Sequence, residues 1–343
     1  MSLSAKTEAL AAFIARAAGA DRATVDVVAR LGGGAIQENW AIDVAVADGP
    51  QAGRYEAVLR SDALSGIAES WPRAQEFALI SAAYEAGMTV PQPLWLEAAG
   101  TVIGRPFYIM RRVTGTAHAR RLLRTLEPDD GDALARRLGE ELAKLHRITP
   151  ANAPASLAFL PAADADLIAR RAAHYRKALD ALPEPHPVLE YAINRMEDLA
   201  PPMTTLTLAH RDFRTGNYMV DGGTLTAVLD FEFSGWSDPY EDLGWFCARC
   251  WRFGANDREA GGIGSREAFY EGYAAGTGQP VDDARVRFWE AVAPIRWGIV
   301  ALQQGERHAS GQEPSLDLAL TALRAIECEY DLLQDLPKML KGS

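Results

Sequence analysis

Between Leu208 and Glu232 the chain concentrates polar side chains around a turn: Leu208-Ala209-His210-Arg211-Asp212, Asn217-Tyr218-Met219-Val220, Asp221-Gly222-Gly223 and Leu225 to Glu232. Tyr218 to Val220 has strand character, the glycines supply the positive φ of a tight turn, and Leu225 to Leu229 reads as the returning strand. Residues equidistant from such a turn lie opposite each other, so Asn217 and Asp230 are expected to meet at the open end of the hairpin. An amide oxygen beside a carboxylate is a hard, oxygen-rich set suited to a magnesium ion that keeps several waters. Asp212 is expected in the same neighbourhood, from the loop just before. Taken singly, Asn217 is a strand cap, Asp230 a strand-end charge and Asp212 a turn former. Taken in order, a His-Arg-Asp triplet is followed by Asn five positions on and Asp thirteen further, which points to chemistry.

A second constellation reads as packing. Cys247-Ala248-Arg249-Cys250 has the spacing of a redox motif, but it sits in an aromatic stretch from Trp245 to Trp251 and lacks further thiolates or a histidine for zinc. These are read as core thiols. The remaining cysteine is Cys328, and an odd count of 3 fits a reducing compartment without a disulfide framework. A net charge of −11 argues against nucleic acid as the main partner. The absence of a long apolar run and of a signal-like start makes a soluble, cytoplasmic protein without a membrane partner the expectation. The basic residues are lopsided: the lysines are Lys6, Lys144, Lys177, Lys338 and Lys341, and the rest are arginines.

The elements that must position these groups fall into two regions. Lys6 to Ala18 reads as a helix, and Asp26 to Ala47 shifts to β-branched residues around Gly32-Gly33-Gly34. Tyr55 to Arg60 alternates as a strand, Pro72 to Ala86 reads as a helix with Phe77, Ile80 and Tyr84 on one face, and Leu94 to Leu96 and Pro106 to Met110 read as strands. From Asp132 the stripe Leu134, Leu138, Leu142, Leu145 announces a helical region. Further helices are expected over Ala162 to Ala181, Val188 to Leu199, Ser265 to Ala275, Asp282 to Gln304 and Leu316 to Leu333. The expected division is a lobe over 1–112 and a second over 113–343.

On the segment His210-Arg211-Asp212 through Asn217 to Asp230-Phe231-Glu232, with Asp238-Pro239 and Asp242-Leu243 following, the sequence resembles the aminoglycoside phosphotransferase superfamily. The resemblance covers nearly the whole chain. It implies an α+β, two-lobed, protein-kinase-like fold with a small antiparallel sheet and helix before a larger helical lobe. It also implies an ATP- and magnesium-dependent transfer of the γ-phosphate to a hydroxyl of a small molecule, with GTP left open as donor. By resemblance Asp212 is the base, Asn217 and Asp230 hold magnesium, and His210 and Asp242 brace the loop. Glu232, Asp238 and Trp251 are assigned to the acceptor side, Glu232 alternatively to the metal.

On the nucleotide side the resemblance assigns Gly33 and Gly34 to the phosphates and the backbone near Met110 to Arg112 to the adenine. It expects a strand lysine paired to a helix glutamate. Lysine is absent between Lys6 and Lys144, so Arg60 takes that place, with Glu76 as partner. Arginine keeps the charge but differs in shape from lysine, which motivates the alternative of a catalytically silent binding protein. The acidic second lobe suits a cationic acceptor, whereas Arg120, Arg121 and Arg124 suit an anionic one. The acceptor and the oligomeric state stay open.

Overall fold

The computed structural model describes residues 3–32, 37–62, 70–162, 166–203 and 205–339. The chain divides into two compact units, one formed by Met1–Thr116, Pro154–Phe159 and Met219–Ser234, the other by Ala117–Ala153, Leu160–Tyr218 and Gly235–Ser343. The first boundary falls shortly after the expected cut at Arg112, and the chain then returns twice to the first unit. Among the described residues no helix is long and apolar enough to cross a membrane.

The first unit opens with α1 (Thr7–Ala18), closed by Gly19 in the left-handed conformation at φ 65°. Strands β1 (Ala23–Leu31), β2 (Gln37–Val46) and β3 (Gly53–Asp62) follow, then α2 (Arg73–Glu85), β4 (Pro93–Glu97) and β5 (Phe107–Arg111). They form a five-stranded sheet in the order β1-β2-β3-β5-β4, with antiparallel neighbours throughout. Leu10 and Ile14 of α1 pack on Ile42, Val44, Ala57, Leu59, Phe107 and Ile109. Alternation along β3 therefore sends Arg60 to the opposite face, where α2 packs. The stripe α2 buries is Arg73, Glu76, Leu79, Ile80 and Ala83, whereas Tyr84, expected beside Ile80, is exposed. A helix that buries a glutamate and an arginine does so only where counter-charges await them.

In the second unit come α3 (Ala119–Thr125), α4 (Pro128–Leu145), α5 (Leu167–Asp180), α6 (Pro187–Leu199) and the short strand β6 (Thr207–Ala209). The chain then runs into β7 (Tyr218–Asp221) and β8 (Thr224–Val228), the two-stranded hairpin expected around Asp221-Gly222-Gly223. Thr116 bridges to Val220, and the Val228 N–H donates to the Thr89 carbonyl at 2.7 Å, which ties this hairpin to the first unit. Gly115, at φ 108°, is required there, because a Cβ would fall 2.4 Å from the Val220 carbonyl oxygen.

The second unit resumes with β9 (Gly235–Ser237), paired to β6, then α7 (Pro239–Cys247), α8 (Arg266–Thr277), α9 (Asp283–Ala309), α10 (Leu316–Ala322) and α11 (Arg324–Met339). The single helix expected over Leu316 to Leu333 is thus two. Leu189, Ile193, Phe288, Trp289, Ile295 and Leu332 belong to one buried hydrophobic core of this unit. Cys247 is buried and Cys250 partly so, with both thiols free, and burial pushes Cys247 up to about 12, which suits packing rather than redox work. Helices α4 and α8 approach closely through glycine notches: a Cβ on Gly272 would lie 1.9 Å from the Arg136 carbonyl oxygen. Because the obstacle is backbone, Gly272→Ala is expected to destabilise the protein by about 1–3 kcal/mol, read by denaturant unfolding. An unchanged midpoint refutes this packing.

Candidate active site

In the first unit Arg60 stands between Asn39 and Tyr108 in the sheet register. Its guanidinium forks onto the Glu76 carboxylate, with Nε at 3.3 Å and a terminal nitrogen at 2.9 Å, and reaches Asp230 Oδ1 at 2.5 Å. Arg73 donates to the same Glu76, to the Trp71 carbonyl at 2.9 Å and to Ser70 Oγ at 3.2 Å, and pairs with Asp62 at 2.9 Å. Glu76 is 1% exposed, so both arginines neutralise a carboxylate that has no water. Glu232 accepts hydrogen bonds from Gln37 and, at 2.6 Å, from Ser70 Oγ. Burial first, and then the charge of Asp230, pushes its carboxyl up to about 8. Asp230 itself adopts φ 71°, unusual for a side-chain-bearing residue.

In the second unit the loop after β6 is held by one buried carboxylate. Asp242, on α7, accepts the His210 and Arg211 backbone N–H groups at 2.7 Å each, and the His146 ring Nε2 lies 3.0 Å from it. The His210 ring accepts the Asp212 N–H through Nδ1 at 3.3 Å. Arg211 sits at φ 64°, and its carbonyl accepts from Arg296. These contacts present the Asp212 carboxylate. Oδ1 accepts the Trp245 indole N–H at 3.1 Å and Arg214 Nε at 3.2 Å, while Oδ2 accepts from the Asn217 amide at 2.6 Å. Since Asn217 spends its Nδ2 on Asp212, its amide oxygen is what remains to offer a cation.

Several assignments read differently in the structure. Gly33 and Gly34 lie outside the described residues. Met110 is buried in β5, and among the backbone groups near Met110 to Arg112 given to an adenine, the Arg112 N–H donates to the Glu56 carbonyl at 2.9 Å because β3 pairs that far along. The Arg112 side chain pairs with Glu56 at 3.1 Å and Asp43 at 3.6 Å. Asp238, assigned to the acceptor side, is fully buried: it caps α7 through the Tyr240 N–H at 3.1 Å and accepts Arg285 at 2.7 Å and the Trp289 indole N–H at 3.0 Å. Its oxygens are consumed in fixing helices. Trp251, similarly assigned, is buried against Trp245 and Trp297, with Arg214 stacked on its face. Glu232, assigned to acceptor or metal, sits in the buried network of the first unit. Arg73, His146 and Arg296 contact the candidate residues or their loop and were not singled out in the sequence, whereas Trp245, read there within an aromatic stretch, holds Asp212. Only Arg73 carried a local signal, three residues before Glu76 on a buried helix face.

With this geometry in hand, the chain matches the pattern of the phosphotransferase enzyme family over residues 27–289. It belongs to that family. A curated relative, mouse acyl-CoA dehydrogenase family member 10, is 28% identical over 255 residues, which is 70% of this chain but 23% of that protein, so this chain spans under a quarter of its relative. A solved structure from Ralstonia eutropha, classed with the aminoglycoside phosphotransferases, is 20% identical, covers 97% of this chain and 98% of its own, and gives a TM-score of 0.74. A choline/ethanolamine kinase family protein from Mesorhizobium loti is 20% identical over 91% of each chain at 0.59. An aminoglycoside phosphotransferase in complex with streptomycin and ATP is 14% identical, covers 81% of this chain and 86% of its own, and gives 0.54. At these identities the structures establish the shared kinase-like fold.

Within a phosphotransferase family member, the donors assigned to magnesium are one amide oxygen and one carboxylate. Among the described residues no group of three or more His, Cys, Asp or Glu side chains could hold a metal ion. Each of these two donors by itself is a hard oxygen of the kind that suits an ion retaining water and taking further oxygens from phosphates. The Arg60–Glu76–Arg73 network yields a direct expectation for the phosphotransferase fold. Glu76→Gln leaves two buried guanidinium groups short of a counter-charge and is expected to cost about 3–5 kcal/mol of stability, measured by chemical denaturation. A loss below about 1 kcal/mol, the scale of an exposed pair, refutes the buried-network account.

Proposed function

We propose that this protein transfers the γ-phosphate of ATP, with GTP as the alternative donor, to a hydroxyl of a small molecule in the presence of magnesium. The observation that carries this reading is the Asp212 carboxylate, 8% exposed and held by Trp245, Arg214 and Asn217 on a loop that Asp242 anchors. A carboxylate fixed by that many donors is oriented before substrate arrives, as a proton acceptor must be. In the proposed reaction the acceptor oxygen forms a bond to the γ-phosphorus, the bond from that phosphorus to the bridging oxygen of the nucleoside diphosphate breaks, and the hydroxyl proton passes to Asp212. Asn217 and Asp230 are the oxygen donors assigned to magnesium, which when bound neutralises charge developing on the phosphates. Arg60, fixed by Glu76, is the cation assigned to the phosphates, and its planar fork suits phosphate oxygens.

One observation favours a second reading. Arg60 already engages Asp230 at 2.5 Å, so the carboxylate assigned to the metal has a cation of its own. A silent, nucleotide-binding or ligand-binding protein would tolerate that arrangement. Two measurements separate the readings. ATP or GTP with magnesium is expected to raise the melting temperature, a stabilisation of about 2.7 kcal/mol at a hundredfold excess over Kd. Asp230→Ala is expected to remove the magnesium dependence of that rise. Asp212→Asn, which keeps shape but cannot take a proton, is expected to retain the nucleotide shift while acceptor-dependent turnover falls by roughly 10² to 10⁴. Turnover equal to the parent's, with chemistry limiting the rate, refutes the base assignment; nucleotide binding without turnover on any hydroxyl compound favours the silent reading.

A further inference from the structure

The last two helices of the second unit are apolar on two faces. Their inner face, with Leu318, Ala325, Cys328, Leu332 and Leu336, is buried, and both helices pack on α9. On the outer face Leu316, Leu320, Leu323, Ile326, Tyr330 and Leu333 are between 48% and 72% exposed. At about 100° per residue these six fall on one side of the helices, turned away from the inner stripe. Leu323, between the two helices, keeps helical angles at φ −64° and ψ −19°. The outer stripe therefore runs unbroken through both helices, over a length of about 26 Å. A helix that is apolar on both sides is ordinarily covered on both sides.

The size and the symmetry of the stripe suit a second copy of this chain. Six side chains exposed to that degree present on the order of 700 Å² of mainly apolar surface, above the about 300–600 Å² of the largest patch on an ordinary monomer and close to the about 800 Å² that each partner gives to a standard interface. Folded on its midpoint, the stripe matches itself. With a second copy laid antiparallel, Leu316 meets Leu333, Leu320 meets Tyr330 and Leu323 meets Ile326, and each pairing occurs twice about a twofold axis. The charges agree with that direction. Arg324 and Glu327, paired at 2.6 Å within one helix and each half exposed or more, flank the midpoint. Antiparallel packing therefore brings each Arg324 beside the Glu327 of the second copy, whereas parallel packing sets Glu327 against Glu327. An anionic lipid surface suits the face less well, because the two helices carry Asp317, Glu327, Glu329 and Asp335 against Arg324 and Lys338. We propose that the outer face of α10 and α11 is the interface of a homodimer, in which the two apolar stripes pack antiparallel about a twofold axis near Arg324. This interface stands whether or not the chain transfers phosphate.

The experiment is analytical ultracentrifugation of the full chain across the micromolar range at fixed ionic strength. The expected result is a species of twice the chain mass that dissociates on dilution. Leu320→Glu combined with Ile326→Glu alters two side chains more than half exposed, and is expected to keep the helical circular dichroism and cooperative unfolding of the parent while sedimenting as a monomer. Arg324→Glu is expected to raise the dimer Kd about tenfold or more, and adding Glu327→Arg, which reverses both charges, is expected to recover most of that loss. Direction is read by mixing Leu316→Cys chains with Leu333→Cys chains under mild oxidation, where an interchain disulfide is expected to join one of each in preference to two alike. That pairing decides the matter should the double glutamate variant fail to fold, since it leaves the rest of the stripe intact. A parent chain that sediments as a monomer throughout, or a dimer that survives Leu320→Glu with Ile326→Glu, overturns the proposal. So does cross-linking of Leu316→Cys chains mainly to one another, which marks a parallel pair. A monomer that co-sediments with phosphatidylserine vesicles gives the face to lipid and overturns it as well.

Discussion

The backbone of Arg211 is the constraint on which the loop after β6 depends. At φ 64° it lies where a side chain crowds its own carbonyl, at a cost of about 1–2 kcal/mol. That conformation persists because both of its backbone polar groups are engaged, the N–H by Asp242 and the carbonyl by Arg296. The turn it makes aims Asp212 at Trp245 and Asn217. Asp242 can do this only if α7 is immobile, and the same helix is pinned by the Asp238 cap with its contacts to Arg285 and Trp289, and by the Glu241–Arg171 pair. Carboxylates that look interchangeable in sequence therefore divide the work, with Asp212 presented and Asp238, Glu241 and Asp242 consumed in presenting it.

The first unit solves a comparable problem with arginine. Lysine offers one ammonium, whereas Arg60 meets Glu76 through two nitrogens and still reaches Asp230. Arg73 supplies a second guanidinium to the same glutamate, so the buried charge of α2 is more than balanced. This network is costly to dismantle because each partner would be left ionised out of water. Arg60 is accordingly held in place by Glu76 and Asp230.

The hydrophobic stripe of α4, the strand alternation of β3 and the Asp-Gly-Gly turn between β7 and β8 were legible because they are local: period, propensity and positive φ act over a few residues. So was the pairing of Arg60 with Glu76, since the chain offers no lysine there and a helix follows the strand. The order and spacing of His210, Asp212, Asn217, Asp230 and Asp242 likewise carried the resemblance to the family to which the chain belongs.

Which carboxylate would be exposed to chemistry and which consumed was decided only when distant elements packed. Asp238 looked like a site residue and became a helix anchor, because Arg285 and Trp289, some fifty positions on, arrive on α9 to take its oxygens. The Arg112 N–H donates to the Glu56 carbonyl because a strand pairing runs that far. His146 and Arg296 gave no local sign, and Trp245 only that of a packing aromatic, for their contacts depend on α4, α7 and α9 converging on one loop. Sequence determined the elements and the chemical types available, because those follow from neighbours along the chain. Tertiary structure alone assigned each charge its partner, because burial and Coulomb interaction depend on distances in space that spacing along the chain does not encode.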